Sequence, residues 1–184
     1  GKAIVNVLTI SQRERVTATL PVRVFAEDQF VVMATQMGYI KKTDLAAFSH
    51  PRQGGIIALT LEEGDRLIGV DITDGTREIL LGTRMGIVIR FSEEDVRPVG
   101  RTARGVRGIT LAKSNEVIGM VTITSETQSS ILTVTERGYG KRTQVEEYRL
   151  QSRAGKGVIS VKVTEKNGPA ISFHQVWESD EIML

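Results

Sequence analysis

Lysine and arginine are the residues numerous enough in this chain to do chemistry, 24 together, and they recur at fixed offsets. Lys41 and Lys42 follow Gly38, Arg90 follows Gly86, and Lys141 and Arg142 follow Gly138, each within four residues of its glycine. Arg52 lies further along the first of these segments. Arg101, Arg104 and Arg107 stand every third residue in a glycine-containing stretch free of acids. Arg153 and Lys156 lie in the run Gln151-Ser-Arg-Ala-Gly-Lys-Gly157. Cations spaced along a surface neutralise successive phosphates of a polyanion and release its counterions. Backbone amides in a glycine-rich loop add further donors to phosphate. These eleven residues are the candidate phosphate contacts.

Other chemistries find little material. Cysteine is absent, which removes disulfides, thiol nucleophiles and thiolate metal sites and is what a reducing cytoplasm would permit. Two histidines, His50 and His174, leave little material for zinc or triad chemistry. Tyr39 and Tyr139 could in principle attack phosphate. They occupy one repeated strand position, however, and no metal-binding acidic cluster accompanies them. Asp71 and Asp74 share one short loop, which is not a metal site. No GxxxxGK[ST] loop is present to hold a nucleotide triphosphate. The expectation is therefore no catalytic residue, no cofactor and no metal in this chain. No apolar run approaches the roughly 20 residues of a membrane helix, and the N-terminus lacks the pattern of a signal peptide.

The cations recur because the chain repeats. Three segments share an opening pattern: Phe30-VVMATQMGYIKKTDL, Glu78-ILLGTRMGIVIRFSEEDV and Ser130-ILTVTERGYGKRTQVEEY. In each an apolar run ends in a threonine (Thr35, Thr83, Thr135), and a glycine follows three residues later. A second block follows, beginning at Gly55, Gly108 and Gly157. Repeats are expected over 30–73, 78–124 and 130–177. The second half of another is expected over 1–22 and the start of a further one over 180–184, so the chain reads as a piece of a longer array. Four short apolar stretches per repeat, in the first 30–35, 39–43, 56–61 and 67–73, are rich in Val, Ile, Thr and Leu and fit strands. The Met37-Gly38, Met85-Gly86 and Arg137-Gly138 pairs read as hairpin turns in which glycine supplies a positive φ. Residues 43–48 offer at most a single helical turn. Four strands at a period near 50 residues predict an all-β, propeller-like array.

Charge is sorted in phase with the repeat. The windows 38–54, 84–108 and 137–157 together carry 15 basic and 6 acidic residues, so the remainder must sum to −7 for the overall +2. If the repeats are arranged radially, these loops form one positive belt that curves with the ring. Such a belt suits a bent polyanion, since its contacts offset the elastic cost of bending a duplex.

In these repeats, and in the patches VVMATQMGYIKKT, LIGVDIT, GVRGI, GYGKRT and SRAGKGVISVKVTEKNG, the chain resembles the C-terminal domain of the DNA gyrase A subunit over essentially its whole length. The resemblance implies a β-pinwheel of six four-stranded blades that exchange strands between neighbours. It implies a basic rim that binds and wraps double-stranded DNA without sequence preference, supporting ATP-dependent negative supercoiling by a cytoplasmic type II topoisomerase. The eleven cations then become candidate DNA contacts. The implied partners are the gyrase B subunit, in an A2B2 assembly, together with the breakage-reunion region of the gyrase A polypeptide itself. ATP and Mg2+ would be bound elsewhere in that assembly, as would the catalytic residues. The family's Q-R-R-G-G-K-G box is expected before this chain begins. Its nearest counterpart, residues 151–157, has Ser152 and Ala154 where the box has Arg and Gly. Two other readings stand beside this one: the related C-terminal domain of the topoisomerase IV A subunit, and a propeller that docks proteins on its disc face.

Overall fold

The computed structural model describes residues 1, 6, 8, 14–52, 54–124 and 128–182. The strands among them are β1 (Phe30–Thr35), β2 (Tyr39–Asp44), β3 (Leu67–Thr73), β4 (Glu78–Thr83), β5 (Ile87–Ser92), β6 (Val106–Arg107), β7 (Val117–Ile123), β8 (Ser130–Thr135), β9 (Gly140–Gln144), β10 (Val158–Ile159) and β11 (Ala170–Val176). The helical elements are single 3-10 turns at Leu45–Phe48, Glu93–Asp95 and Val145–Glu147. The fold is all-β, and no helix among the described residues is long and apolar enough to cross a membrane.

The Thr-x-x-Gly spacing is a turn in physical terms. The threonine carbonyl accepts the glycine N–H at 3.0 Å in the first repeat and 2.9 Å in the other two. The Thr35 and Thr83 hydroxyls accept the next strand's first N–H, from Tyr39 and Ile87. Each glycine has a positive φ, +85° at Gly38, +72° at Gly86 and +79° at Gly138, which a side chain would resist.

Three antiparallel sheets result, ordered β3-β1-β2-β6, β10-β5-β4-β7 and β11-β8-β9. One edge strand of each four-stranded sheet comes from the following repeat. β6 pairs with β2 through Tyr39–Arg107 and Ile40–Val106, and β10 pairs with β5 through Ile87–Ile159 and Val88–Val158. Strands are thus exchanged between neighbours. The stretch 56–61, expected as a strand, is not one. By the same topology it belongs on the edge of a preceding sheet, and the described residues before Phe30 hold no strand for it to pair with. The half repeat over 1–22 and the segment 180–184 lie partly outside the described residues.

The exchanged strands also correct the internal alignment of the repeats. The Gly38 carbonyl accepts Gly108 N–H at 2.8 Å, and the Gly86 carbonyl accepts Ser160 N–H at 2.8 Å. Gly108 therefore corresponds to Ser160, and the positive-φ glycines Gly55, Gly105 and Gly157 correspond to one another. The sequence pattern had placed Gly108 with Gly157, three residues out.

The core lies between sheets. Val32, Ala34 and Ile40 of the first repeat meet Ile79, Leu81, Ile89 and Phe91 of the second. The opposite face of the second sheet presents Leu80 and Val88 to Ile131, Tyr148 and Phe173 of the third. The middle sheet is buried on both faces, which is why every residue of β4 is buried and why three successive apolar residues, Ile79, Leu80 and Leu81, lie within it.

Candidate nucleic-acid interface

The eleven candidate cations divide by what their charged ends touch. Lys42 and Arg90, at equivalent positions on β2 and β5, face the next repeat. Lys42 is buried, and its Nζ donates to the Glu93 carbonyl at 2.9 Å with the Glu93 carboxylate 3.7 Å away. Arg90 pairs with Glu78 at 2.6 Å and donates to the Val145 and Tyr148 carbonyls, both at 3.0 Å. Glu93 and Val145 are equivalent residues of the 3-10 turns, so one device ties successive sheets together twice. Lys41, 1% exposed, points to the other face and donates to the Ala58 carbonyl at 2.7 Å and to the Arg101 carbonyl. These three cations are committed inside the protein and present no charge to an outer ligand. Alternation along a strand had suggested that one of each pair would face outward, but both faces of these sheets are covered.

Arg101 and Arg153 form a second matched pair. Arg101 Nη1 donates to the Ile57 carbonyl at 3.3 Å, and Arg153 Nη1 donates to the Arg107 carbonyl at 3.2 Å. Ile57 and Arg107 correspond in the corrected alignment. Arg153 Nε also donates to the Asp95 carbonyl at 2.9 Å. Each guanidinium therefore pins its loop to the preceding repeat. A threonine completes the attachment: Thr60 donates through its hydroxyl to the Thr102 carbonyl at 2.6 Å, and Thr110 to the Ala154 carbonyl at 2.6 Å. Neither threonine stood out in the sequence. The corrected register was the signal needed to find them.

What these attachments hold outward is the rest of each loop. Arg104 and Lys156 are equivalent, immediately precede the positive-φ glycines Gly105 and Gly157, and are exposed. Arg104 carries an ion pair with Glu62. Arg107 and Arg52 are exposed as well. Arg97 and Arg149, a further equivalent pair outside the eleven, are exposed at the entrance of the same loops. Lys141 and Arg142 are exposed on β9, whose outer edge is unpaired among the described residues. They occupy the positions of Lys41 and Lys42, and Lys141 Nζ already donates to the Ser160 carbonyl at 3.0 Å, as Lys41 does to Ala58.

Tyr39 and Tyr139 sit beside the hairpin turns as repeated residues, and Lys166 stacks its ammonium over the Tyr139 ring at 5.3 Å. Among the described residues, no group of three or more His, Asp or Glu is placed to hold a metal ion. The arrangement offers outward cations on rigidly tethered glycine loops, which is chemistry for holding phosphates.

The chain is similar to the DNA gyrase C-terminal domain, beta-propeller, over residues 29–74, 77–124 and 129–169. It is 51% identical over 184 residues to the DNA gyrase A subunit of Salmonella typhimurium and 47% identical over 184 residues to that of Escherichia coli. Both matches cover all of this chain and 21% of the relative, so the chain spans about a fifth of the length of these relatives. Among solved structures, the C-terminal domain of DNA topoisomerase IV superposes with a TM-score of 0.90 at 29% identity, covering 97% of this chain and 56% of that one. A DNA gyrase A C-terminal domain superposes with a TM-score of 0.84 at 21% identity, covering 96% and 59%, and shares the fold.

Proposed function

Since the chain belongs to the family of the DNA gyrase C-terminal domain, we propose that it binds duplex DNA without sequence preference, as the DNA-wrapping part of a gyrase A polypeptide in the cytoplasm. The observation that carries this reading is the recurrence of an exposed cation, Arg104 and then Lys156, at one structural position on two tethered glycine loops. A protein-docking disc has no need of cations in phase with its repeat. The identities near 50% to gyrase A subunits support gyrase over topoisomerase IV.

The contacts assigned to phosphate are Arg52, Arg97, Arg104, Arg107, Arg149 and Lys156. The chain performs no bond chemistry itself and needs neither ATP nor Mg2+ to bind. Strand cleavage and ATP hydrolysis belong to the rest of the gyrase A polypeptide and to a gyrase B partner, for which this chain presents the DNA segment.

Fluorescence anisotropy on several unrelated linear duplexes across a salt series tests the reading. About six phosphate contacts give a slope of log K against log salt of roughly −5, common to all sequences. A flat salt response, or a strong preference for one duplex, overturns it.

A further inference from the structure

The two tethered glycine loops rest on different floors. The loop 153–157 lies over Ile89, whose Cδ1 would touch a Cβ placed on Gly155 at 3.3 Å. The loop 101–105 lies over Lys41, the residue of β2 equivalent to Ile89, and is tied to it through the Arg101 carbonyl. The same ammonium holds the Ala58 carbonyl of the segment that also anchors the loop through Ile57 and Thr60. One apolar floor and one ionisable floor thus support equivalent loops.

We propose that Lys41 is a positioning residue for DNA binding: a buried cation whose charge sets how firmly the loop carrying Arg104, and the strand β6 with Arg107 that continues it, are presented to phosphate. The inference rests on the DNA-binding reading above and deepens it.

The surroundings of Lys41 make its charge variable. Its cross-strand partner on β1 is Met33, and Ala58 and Leu59 belong to the same apolar cluster as Met33. The charged group that acts on it is Arg101, from the loop itself. Burial disfavours the ammonium and Arg101 repels it, and together they bring the pKa down from 10.5 to about 8. Above that pH the neutral amine keeps two N–H donors for the two carbonyls, but without charge assistance, which roughly halves the strength of such bonds. The loop is then held less firmly. The sign for stability is opposite. The folded chain gives up this proton before the unfolded chain does, so the contribution of Lys41 to stability rises between pH 8 and 10.5. A fall in affinity over that interval is therefore not unfolding by this group.

The test is the dissociation constant for a linear duplex at constant ionic strength from pH 6.5 to 9.5. For the wild type, affinity falls by about fivefold with a midpoint near 8. K41M is weaker at pH 7 and flat across the range, and K41I, which copies the Ile89 floor, is a second neutral variant should K41M fail to fold. The pH step also disappears in R104A/R107A, because the loop has lost the cations that the step acts through. A step that survives in K41M and K41I belongs to another group and overturns the proposal. So does a wild type that binds with no step, or a step that persists in R104A/R107A. A wild type that fails to bind duplex at any pH instead overturns the DNA-binding reading on which the proposal rests.

Discussion

A lysine or arginine on this scaffold is exposed or a fastener according to which way its backbone turns it, and type alone does not say which. Arg101 and Arg104 are three residues apart, yet the first is engaged by the Ile57 carbonyl and the second is exposed. Replacing Arg104 and Arg107 by Ala should therefore reduce the salt slope by about 2, one unit for each lost phosphate contact. Urea unfolding should move by no more than about 0.5 kcal/mol per exposed site. R101A should do the reverse, leaving the slope nearly intact and lowering stability by about 1 kcal/mol for the lost loop attachment. Equal salt slopes in R104A/R107A and the wild type would remove these two residues from the interface. A second residue-scale prediction concerns Ala154, a non-glycine residue held at φ +65° where the family box has glycine. That region costs L-residues roughly 1–2 kcal/mol, so A154G should stabilise the chain by about 1 kcal/mol in urea unfolding. The recurrence of the cations was legible in the sequence, whereas their direction was not. Alternation separates the two faces of a strand, but it cannot say that both faces are covered. Lys41 and Lys42 are buried and Arg90 is half-buried for that reason.

The hairpins were the most legible elements. Strands expected over 30–35 and 67–73 form over those residues, and the expected turn glycines have positive φ. Each hairpin closes within its own few residues, so local spacing determines it. The exchanged strands β6 and β10 were much harder to read. They are two residues long, their partners lie in another repeat, and nothing local separates Gly105 from Gly108 as the residue that enters the strand. The stretch 56–61 shows the same dependence from the other side, since its apolar residues form no strand without a sheet edge to join. Strand exchange also predicts different costs for one substitution at equivalent positions. A Cβ on Gly86 would overlap the Val161 carbonyl oxygen of the exchanged segment, whereas one on Gly138 would meet nothing within 4 Å. G138A should cost roughly 1 kcal/mol, for the left-handed backbone alone. G86A adds overpacking and should cost roughly 3 kcal/mol. Hydrogen exchange localises the difference: the Ser160 and Val161 amides, which bond to the Gly86 carbonyl, should lose protection in G86A and keep it in G138A. Equal effects at the two glycines would mean that the exchanged strand does not seat as described.

On the scale of the whole molecule, what matters is how many outward cations act on one DNA segment at once. The basic windows hold 15 cations by sequence, but Lys41, Lys42 and Arg90 are internal and Arg101 and Arg153 act as fasteners, so fewer cations are free for an outer ligand than the sequence suggests. Fastening has a benefit. Loops pinned by guanidinium, threonine and backbone bonds to the preceding repeat present their remaining cations with little ordering cost on binding. Wrapping asks for more than binding. Bending 20–30 bp costs about 1–6 kcal/mol, and the contacts must continue along the bend to offset it. The three repeats here superpose on little more than half of the solved C-terminal domains, 56% and 59% of those chains. A rim of that extent supplies about half the contacts of a six-bladed ring, while a duplex that follows it must still bend. The expected outcome is a chain that binds linear duplex clearly in a low-salt gel shift but produces almost no change in linking number when nicked circles are ligated in its presence. Raising the protein to saturation should increase the shifted band without adding supercoils, because each bound copy contacts DNA over too short an arc to bend it. A linking-number change as large per bound protein as that given by a six-bladed domain would overturn this. It would mean that the exposed residues of these three repeats meet the bending cost by themselves.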